Sequence, residues 1–240
     1  IAEGIRVHFD DVIVNVPVDA DAFVYTPAIP ADNKILNFCA SSEKPLIKRS
    51  DLLQVVSKGT YNICIAGTHG KTTISTMVAH VLRDTGFGCN AFLGGIASNY
   101  GTNFWSSSNP VCVIEADEYD RSFLKLFPNV ICITAMDPDH LDIYGTAEEV
   151  VKAFGEFSDK IKTGGWLIRK WNTVFNTLES NKTILTYDYS NDKASFHPQH
   201  IKVVDGSYRF DLVHPLGVCK DIMLPMGGLH NVENVSAAIA

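Results

Sequence analysis

The stretch Ile63-Cys64-Ile65-Ala66-Gly67-Thr68-His69-Gly70-Lys71-Thr72-Thr73 decides how this 240-residue chain reads. Residues 62–66 form a continuous strand-like run, and the loop after them opens a long helix over 72–85 that Gly86 ends. Gly67 and Gly70 frame the loop, and without a Cβ in the way backbone N–H groups can close on phosphate oxygens. The helix N-terminus adds unpaired N–H groups and the positive end of its dipole. In that setting Lys71 reaches the β- and γ-phosphates of a nucleotide and the Thr72 hydroxyl ligates Mg2+. The general phosphate-loop pattern wants a further glycine five residues before Gly70, where this chain has Ile65, so the loop is a shortened form. The bland reading is an ordinary strand–turn–helix with a chance Gly-Lys-Thr. The order of strand, loop and helix argues against it.

Working outward, 111–115 and 130–134 are two more apolar runs. Runs apolar on both faces suit central strands of a parallel sheet covered by helices. The first ends in Glu115-Ala116-Asp117-Glu118. Such a strand end delivers an acid to the metal beside a phosphate loop, and hard Mg2+ wants oxygen ligands. Glu115, the first acid after the run, is the preferred ligand; the plain alternative is a solvated acidic loop. The second run ends in Thr134-Ala135-Met136-Asp137-Pro138-Asp139-His140-Leu141-Asp142. A lone histidine is more often structural than a ligand. His140, however, lies among three carboxylates at the same expected sheet edge, where ligands of parallel sheets collect. A fourth segment, Gly227-Gly228-Leu229-His230-Asn231-Val232-Glu233-Asn234, carries amides that match an adenine edge. Alone it is weak, because an Asn near a helix start is usually a cap.

The rest of the chain supplies context. Val12, Val14, Val16 and Val18 alternate with polar residues, a period-two strand signal. A short apolar run at 22–25, a helix at 32–42, a strand at 45–48 and a helix at 50–58 follow, with Ser50 as N-cap and Gly59 just past the end. These elements suggest part of a small α/β domain with its boundary near Lys58-Gly59-Thr60. Thr146-x-x-Glu149 is a capping box opening a helix to about Lys162, closed by Gly164-Gly165, and 166–169 is the next strand. After Thr183 the pattern turns mostly β. Runs 201–204 and 207–213 flank the hairpin turn Asp205-Gly206, and a helix begins near Asn231.

Composition bounds the rest. With 46% hydrophobic and 20% charged residues the chain fills an ordinary core, which excludes a disordered chain. The absence of an apolar run of about 18 residues excludes a transmembrane helix, and a net charge of −7 argues against a nucleic-acid sleeve. The six cysteines form no C-x-x-C pair; Cys64, Cys112 and Cys132 sit in apolar runs and read as buried, reduced thiols of a cytosolic chain. The chain opens Ile1-Ala2-Glu3-Gly4, which is no signal peptide, and stops in an apparent helix at Ala240. The expectation is a segment of something longer.

Taken together, the four segments Gly67–Thr73, Glu115–Glu118, Asp139-His140-Leu141-Asp142 and His230-Asn231-x-x-Asn234 resemble the Mur ligase family of ATP-dependent amide-forming ligases. His69 in the loop, Glu115-Ala116-Asp117-Glu118-Tyr119-Asp120-Arg121-Ser122-Phe123 and Leu141-Asp142-Ile143-Tyr144-Gly145 are similar to the branch that joins L-alanine to UDP-N-acetylmuramate. Tyr25-Thr26-Pro27-Ala28-Ile29-Pro30-x-x-Asn33 is similar to the end of that branch's first domain. The resemblance implies an α/β chain. Residues 1–58 would be the C-terminal part of a Rossmann-like, UDP-substrate-binding domain. Residues 59–240 would be a P-loop-type central ATP-binding domain with a mostly parallel sheet and a β-rich later part. The family's third, amino-acid domain is expected to lie outside these residues. ATP and Mg2+ are the implied cofactors, UDP-N-acetylmuramate and L-alanine the substrates, and the bacterial cytoplasm the location.

By the same resemblance Gly67, Thr68, His69, Gly70, Lys71, Thr72 and Thr73 hold the ATP phosphates. Thr72 and Glu115 bind one Mg2+, and His140 a second. His230 and Asn234 contact adenine, and Lys71, Glu115 and His140 carry the catalysis. Two departures stand out: Ala135 where the family usually has Asn, and Arg169-Lys170-Trp171-Asn172 where it often has an N-x-D-D segment. Two rivals are kept, a sister ligase that recycles murein tripeptide and a P-loop protein that only binds or hydrolyses nucleotide.

Overall fold

The computed structural model describes residues 5–137, 141–178 and 181–240. They fall into two compact units, one ending at Val56 and the other spanning Ser57–Ala240. In the first, β1 (Phe23–Tyr25) and β2 (Leu46–Lys48) pair in parallel, Phe23 opposite Leu46. Helix α1 (Lys34–Ser41) lies between them in sequence. It is opened by Asn33, whose side-chain oxygen accepts the Leu36 N–H at 3.0 Å. Helix α2 (Arg49–Ser57) follows β2 directly, so Ser50 sits inside the helix and is not its N-cap. The valine alternation does not make a strand. The N–H groups of Asn15 and Val16 turn back onto the carbonyls of Val12 and Ile13, a single 3-10 turn forms at Ile13–Asn15, and Val14 and Val18 are exposed. Alternation specifies a strand only where a neighbour takes up the backbone groups, and Pro17 removes one donor outright.

The second unit is built on a seven-stranded sheet. Its strands are β3 (Tyr61–Ala66), β4 (Asn90–Ala97), β5 (Thr102–Trp105), β6 (Val111–Glu115), β7 (Val130–Ile133), β8 (Gly165–Lys170) and β9 (Lys182–Tyr187). They lie in the order β5-β4-β6-β3-β7-β8-β9, parallel throughout except for the edge strand β5. The centre is apolar on both faces, as the runs predict. Ile65, Cys132 and Ile168 sit in register on one face, Cys64, Ile131 and Leu167 on the other, all buried. Helices α3 (Lys71–Asp84) and α6 (Leu229–Ile239) share one core with the first set through Ile74 and Val232. Burial in this core lifts the Cys132 thiol to about 12.

Between β7 and β8 run α4 (Leu141–Tyr144) and α5 (Ala147–Ser158). The Thr146 hydroxyl caps α5 by accepting the Glu149 N–H. The helix stops at Ser158, four residues short of Lys162. There Lys160 and Ile161 close a turn onto Phe157 and Ser158, and the buried Lys182 ammonium holds the Ser158 carbonyl. Gly165 starts β8 instead of ending the helix. A second, antiparallel sheet of β10 (His197–Val204), β11 (Ser207–His214) and β12 (Gly217–Leu224) makes the β-rich later part. Asp205 and Gly206 turn β10 into β11 with φ of 49° and 77°, both left-handed, as a two-residue hairpin requires. Helix α6 starts at Leu229, two residues before Asn231. The chain is a mixed α/β fold with a mostly parallel central sheet.

Candidate functional site

The loop between β3 and α3 lies at the carboxyl edge of the sheet, and the strands on either side hold it. Thr134, just past β7, donates its N–H to the Ala66 carbonyl at 3.0 Å and its hydroxyl to the His69 carbonyl. The Thr68 N–H donates to the Ala135 carbonyl at 3.0 Å. Gly67, at φ +118°, runs so close to this segment that an added Cβ would meet the Thr134 hydroxyl and stand 2.7 Å from the Ala135 oxygen. Gly70, at φ +78°, is the N-cap of α3 and brings no side-chain acceptor, which leaves the first-turn N–H groups open to an anion.

Two side chains of the first turn of α3 cross to the end of β6 and the acidic loop after it. The Lys71 ammonium lies 2.9 Å from Glu118 Oε1, with the two side chains 15% and 2% exposed. The Thr72 hydroxyl donates to Glu115 Oε1 at 3.0 Å, and Glu115 Oε2 accepts the Gly94 N–H at 2.8 Å. Glu115 is the last residue of β6, in register with Ile65 of β3, so the sheet itself brings it to the loop. Gly94 makes that position possible, since a Cβ there would stand 2.6 Å from Glu115 Oε2. The acidic loop after β6 is held in turn by α4: the Tyr144 hydroxyl donates to the Glu118 carbonyl at 2.6 Å. Burial and the nearby Glu118 charge push the Tyr144 phenol up to about 12, so it remains a donor at neutral pH.

The other sequence candidates fall as follows. His69 and Asp137 approach at 3.4 Å, both well exposed, a pair of little energetic weight. Thr68 exchanges hydrogen bonds with Asp137. Thr73 is half-buried on α3. Asn234 Nδ2 donates to Asn231 Oδ1 at 3.1 Å, and Asn231 Nδ2 donates to the Gly227 carbonyl at 2.7 Å. That chain turns Asn234 Oδ1 toward the loop, where a Cβ on Gly70 would stand 2.9 Å from it. His230 is exposed, with its ring against Gly228. His140 lies outside the described residues. Lys170 at the end of β8 pairs with Glu233 of α6 at 3.0 Å. Glu118 and Gly94 are the residues that sequence reasoning passed over. Glu118 lies three residues past the end of β6, where the sequence pattern favours the nearer Glu115, and Gly94 sits in a strand whose Gly94-Gly95 pair dilutes its β signal.

Among the described residues no group of three or more His, Cys, Asp and Glu converges on one point. The Thr72 hydroxyl and Glu115 carboxylate nevertheless offer two hard oxygens side by side. That set fits Mg2+, which keeps waters and phosphate oxygens as its remaining ligands. A hollow of about 590 Å3 along α5, lined by Glu148, Lys152, Gly155 and Asn176 among others, shares no residue with the loop.

Residues 65–240 match the model of the Mur ligase middle domain. The UDP-N-acetylmuramate–L-alanine ligase of Phocaeicola vulgatus is 42% identical over 250 residues, an alignment spanning 100% of this chain and 54% of that protein. The protein of the same name from Cytophaga hutchinsonii is 41% identical over 246 residues, covering 99% and 53%. The chain thus spans about half the length of the curated relatives it matches. The crystal structure of the UDP-N-acetylmuramate–alanine ligase of Thermotoga maritima shares the fold at a TM-score of 0.83 and 24% identity, over 99% of this chain and 54% of that one. A Mur ligase from Thermotoga maritima solved in complex with ADP shares it at a TM-score of 0.65 and 12% identity, over 91% and 59%. The chain belongs to the Mur ligase family.

Proposed function

We propose that this chain is the nucleotide-handling part of an ATP-dependent ligase that joins L-alanine to UDP-N-acetylmuramate in bacterial cell-wall synthesis. The observation that carries the reading is the double crossing at the sheet edge, Lys71 to Glu118 and Thr72 to Glu115. It sets an ammonium and two hard oxygens that suit a metal beside an open helix N-terminus. The choice of substrates rests on the relatives that are 41–42% identical and bear that activity's name. No described observation favours the tripeptide ligase, and family membership speaks against a plain ATPase. In this reading residues 1–58 complete a UDP-substrate domain and 59–240 form the ATP domain. The use of ATP and a UDP-linked sugar suits a cytoplasmic location. No helix among the described residues is long and apolar enough to cross a membrane, and the reading needs no nucleic acid.

A carboxylate is a poor electrophile toward an amine. Attack of the muramoyl carboxylate on the γ-phosphorus of ATP, with ADP leaving, gives an acyl phosphate. The alanine amine then attacks the acyl carbon, phosphate departs, and the nitrogen gives up a proton as the amide forms. The loop residues 67–73 hold the phosphates with backbone N–H groups, and Lys71 faces the transferring phosphoryl group with its charge. Thr72 and Glu115 would hold Mg2+, whose positive charge would offset repulsion between the anionic reactants. His140 is the proposed holder of a second ion, and His230 and Asn234 are the proposed adenine contacts.

The test is an amino-acid-dependence assay on the protein that carries these residues. ATP turnover requiring both L-alanine and UDP-N-acetylmuramate is expected. Turnover dependent on murein tripeptide but not on L-alanine overturns the reading. Residues 1–240 expressed alone are expected to bind ATP–Mg2+ without forming the amide.

A further inference from the structure

Glu118 is placed as no surface acid would be. Its side chain is 2% exposed, and Oε1 is spent on the Lys71 ammonium at 2.9 Å. Oε2 is buried and finds no donor among the described residues. Its backbone is fixed from two sides, because its carbonyl accepts the Tyr144 hydroxyl at 2.6 Å and the Arg121 N–H at 3.0 Å. If Lys71 left for an incoming phosphate, both carboxylate oxygens would be stranded in a buried site. Stranding a buried charge is far costlier than keeping a pair that already exists. The ammonium has three donors and uses one here, so two remain for phosphate oxygens.

We propose that Glu118 is a positioning residue for the phosphate-loop lysine: it stays paired with Lys71 when the nucleotide arrives and aims the two free N–H groups at the phosphates. This deepens the nucleotide-site reading above and rests on it. A lysine on a free four-carbon stem samples many rotamers, and ordering it costs binding energy. Glu118 removes that disorder before the nucleotide binds. The opposite arrangement, with Glu118 as a competitor that phosphate displaces, predicts the opposite sign in every variant below.

The experiment is titration calorimetry of residues 1–240 with ATP and Mg2+. Glu118→Ala is expected to weaken binding by about ten-fold, the size of a charge-assisted hydrogen bond lost from a partly buried site. Glu118→Gln keeps an oxygen that accepts from the ammonium and is expected to stay within about three-fold of the parent. If Glu118→Ala does not fold, Glu118→Asp replaces it. It keeps the charge but withdraws the oxygens by one methylene, and weaker binding again supports the proposal. A direct signature is the Lys71 Nζ–H correlation in 15N NMR, visible when the ammonium is held. It is expected with and without ATP in the parent and missing in Glu118→Ala. Tighter binding in Glu118→Ala and Glu118→Gln, unchanged binding in Glu118→Ala or Glu118→Asp, or a Lys71 signal present only with ATP overturns the proposal. Failure of the parent chain to bind ATP overturns the nucleotide-site reading itself, whereas binding with the wrong variant pattern overturns this inference alone.

Discussion

Replacing Gly94 by Ala isolates the metal position with one methyl group. Gly94 is exposed on β4, and its backbone is outside the left-handed region, so alanine meets no conformational strain there. The added Cβ would meet Glu115 Oε1 and stand 2.5 Å from its Cδ, where ordinary contact begins near 3.4 Å. The carboxylate must therefore retreat by at least about 0.9 Å, the difference of those two distances, or rotate away. Either movement breaks or lengthens the Gly94 N–H bond at 2.8 Å and the Thr72 bond at 3.0 Å, and it pulls an oxygen off the proposed Mg2+ position. The lost interactions are partly solvated, so the fold should lose no more than about 1 kcal/mol. A misplaced ligand, worth roughly 1–2 kcal/mol to the metal-bound nucleotide, corresponds to an affinity loss of about ten-fold. Calorimetric titration with ATP, run with and without Mg2+, separates the two effects. The expected result is a loss with Mg2+ and little change without it. Equal affinities in the parent and the variant with Mg2+, or a loss that ignores Mg2+, would refute the geometry.

Further outcomes follow from the same structure. Lys71→Ala should abolish the thermal stabilisation that ATP–Mg2+ confers on the parent, and an unchanged thermal shift would count against the loop assignment. Asp159 is opposed by burial, yet the Leu178 N–H, the Thr177 hydroxyl and the Lys182 ammonium together hold its carboxyl below the usual range. Its contribution to stability is therefore present above its unfolded value near pH 4 and lost as the pH falls through its lower folded value. Asp159→Asn should accordingly destabilise by no more than about 1 kcal/mol at pH 7, since solvent screens the exposed carboxylate, with the gap to the parent closing in acid; a gap that widens in acid contradicts this. Phe157 is wholly buried and packs on Phe123 at 4.6 Å between ring centroids. Phe157→Ala should cost about 3–5 kcal/mol and lower Tm by roughly 10 °C, and a shift below a few degrees would show that the site collapses around the loss.

What the sequence revealed follows the range of the forces involved. The strand, glycine loop and helix from Tyr61 to Asp84 were legible because each signal is local: an apolar run, glycines at the turn, and Gly86 past the end. The Asp205-Gly206 hairpin and the Thr146 cap were legible for the same reason. The valine alternation at 12–18 misled because pairing is a property of two segments and only one was visible. Strand β4 was missed because Gly94-Gly95 dilutes its β signal, and β12 because most of its residues are exposed. At the site, the structure brings Glu115 to the loop at one sheet edge, as their positions after parallel strands suggested, while Asn234 reaches the loop from α6. Which glutamate meets which loop residue was not legible. Lys71 and Glu118 are 47 positions apart, and their pairing depends on how Tyr144 folds the acidic loop back.

The most direct test of the nucleotide site is a crystal structure of residues 1–240 with a non-hydrolysable ATP analogue and Mn2+, read by the anomalous signal of the metal. The account predicts the β- and γ-phosphates over the loop at 67–73 and a metal peak bonded to Thr72 Oγ1 and a Glu115 oxygen. A nucleotide bound elsewhere, or a metal peak out of bonding distance of both residues, would contradict it.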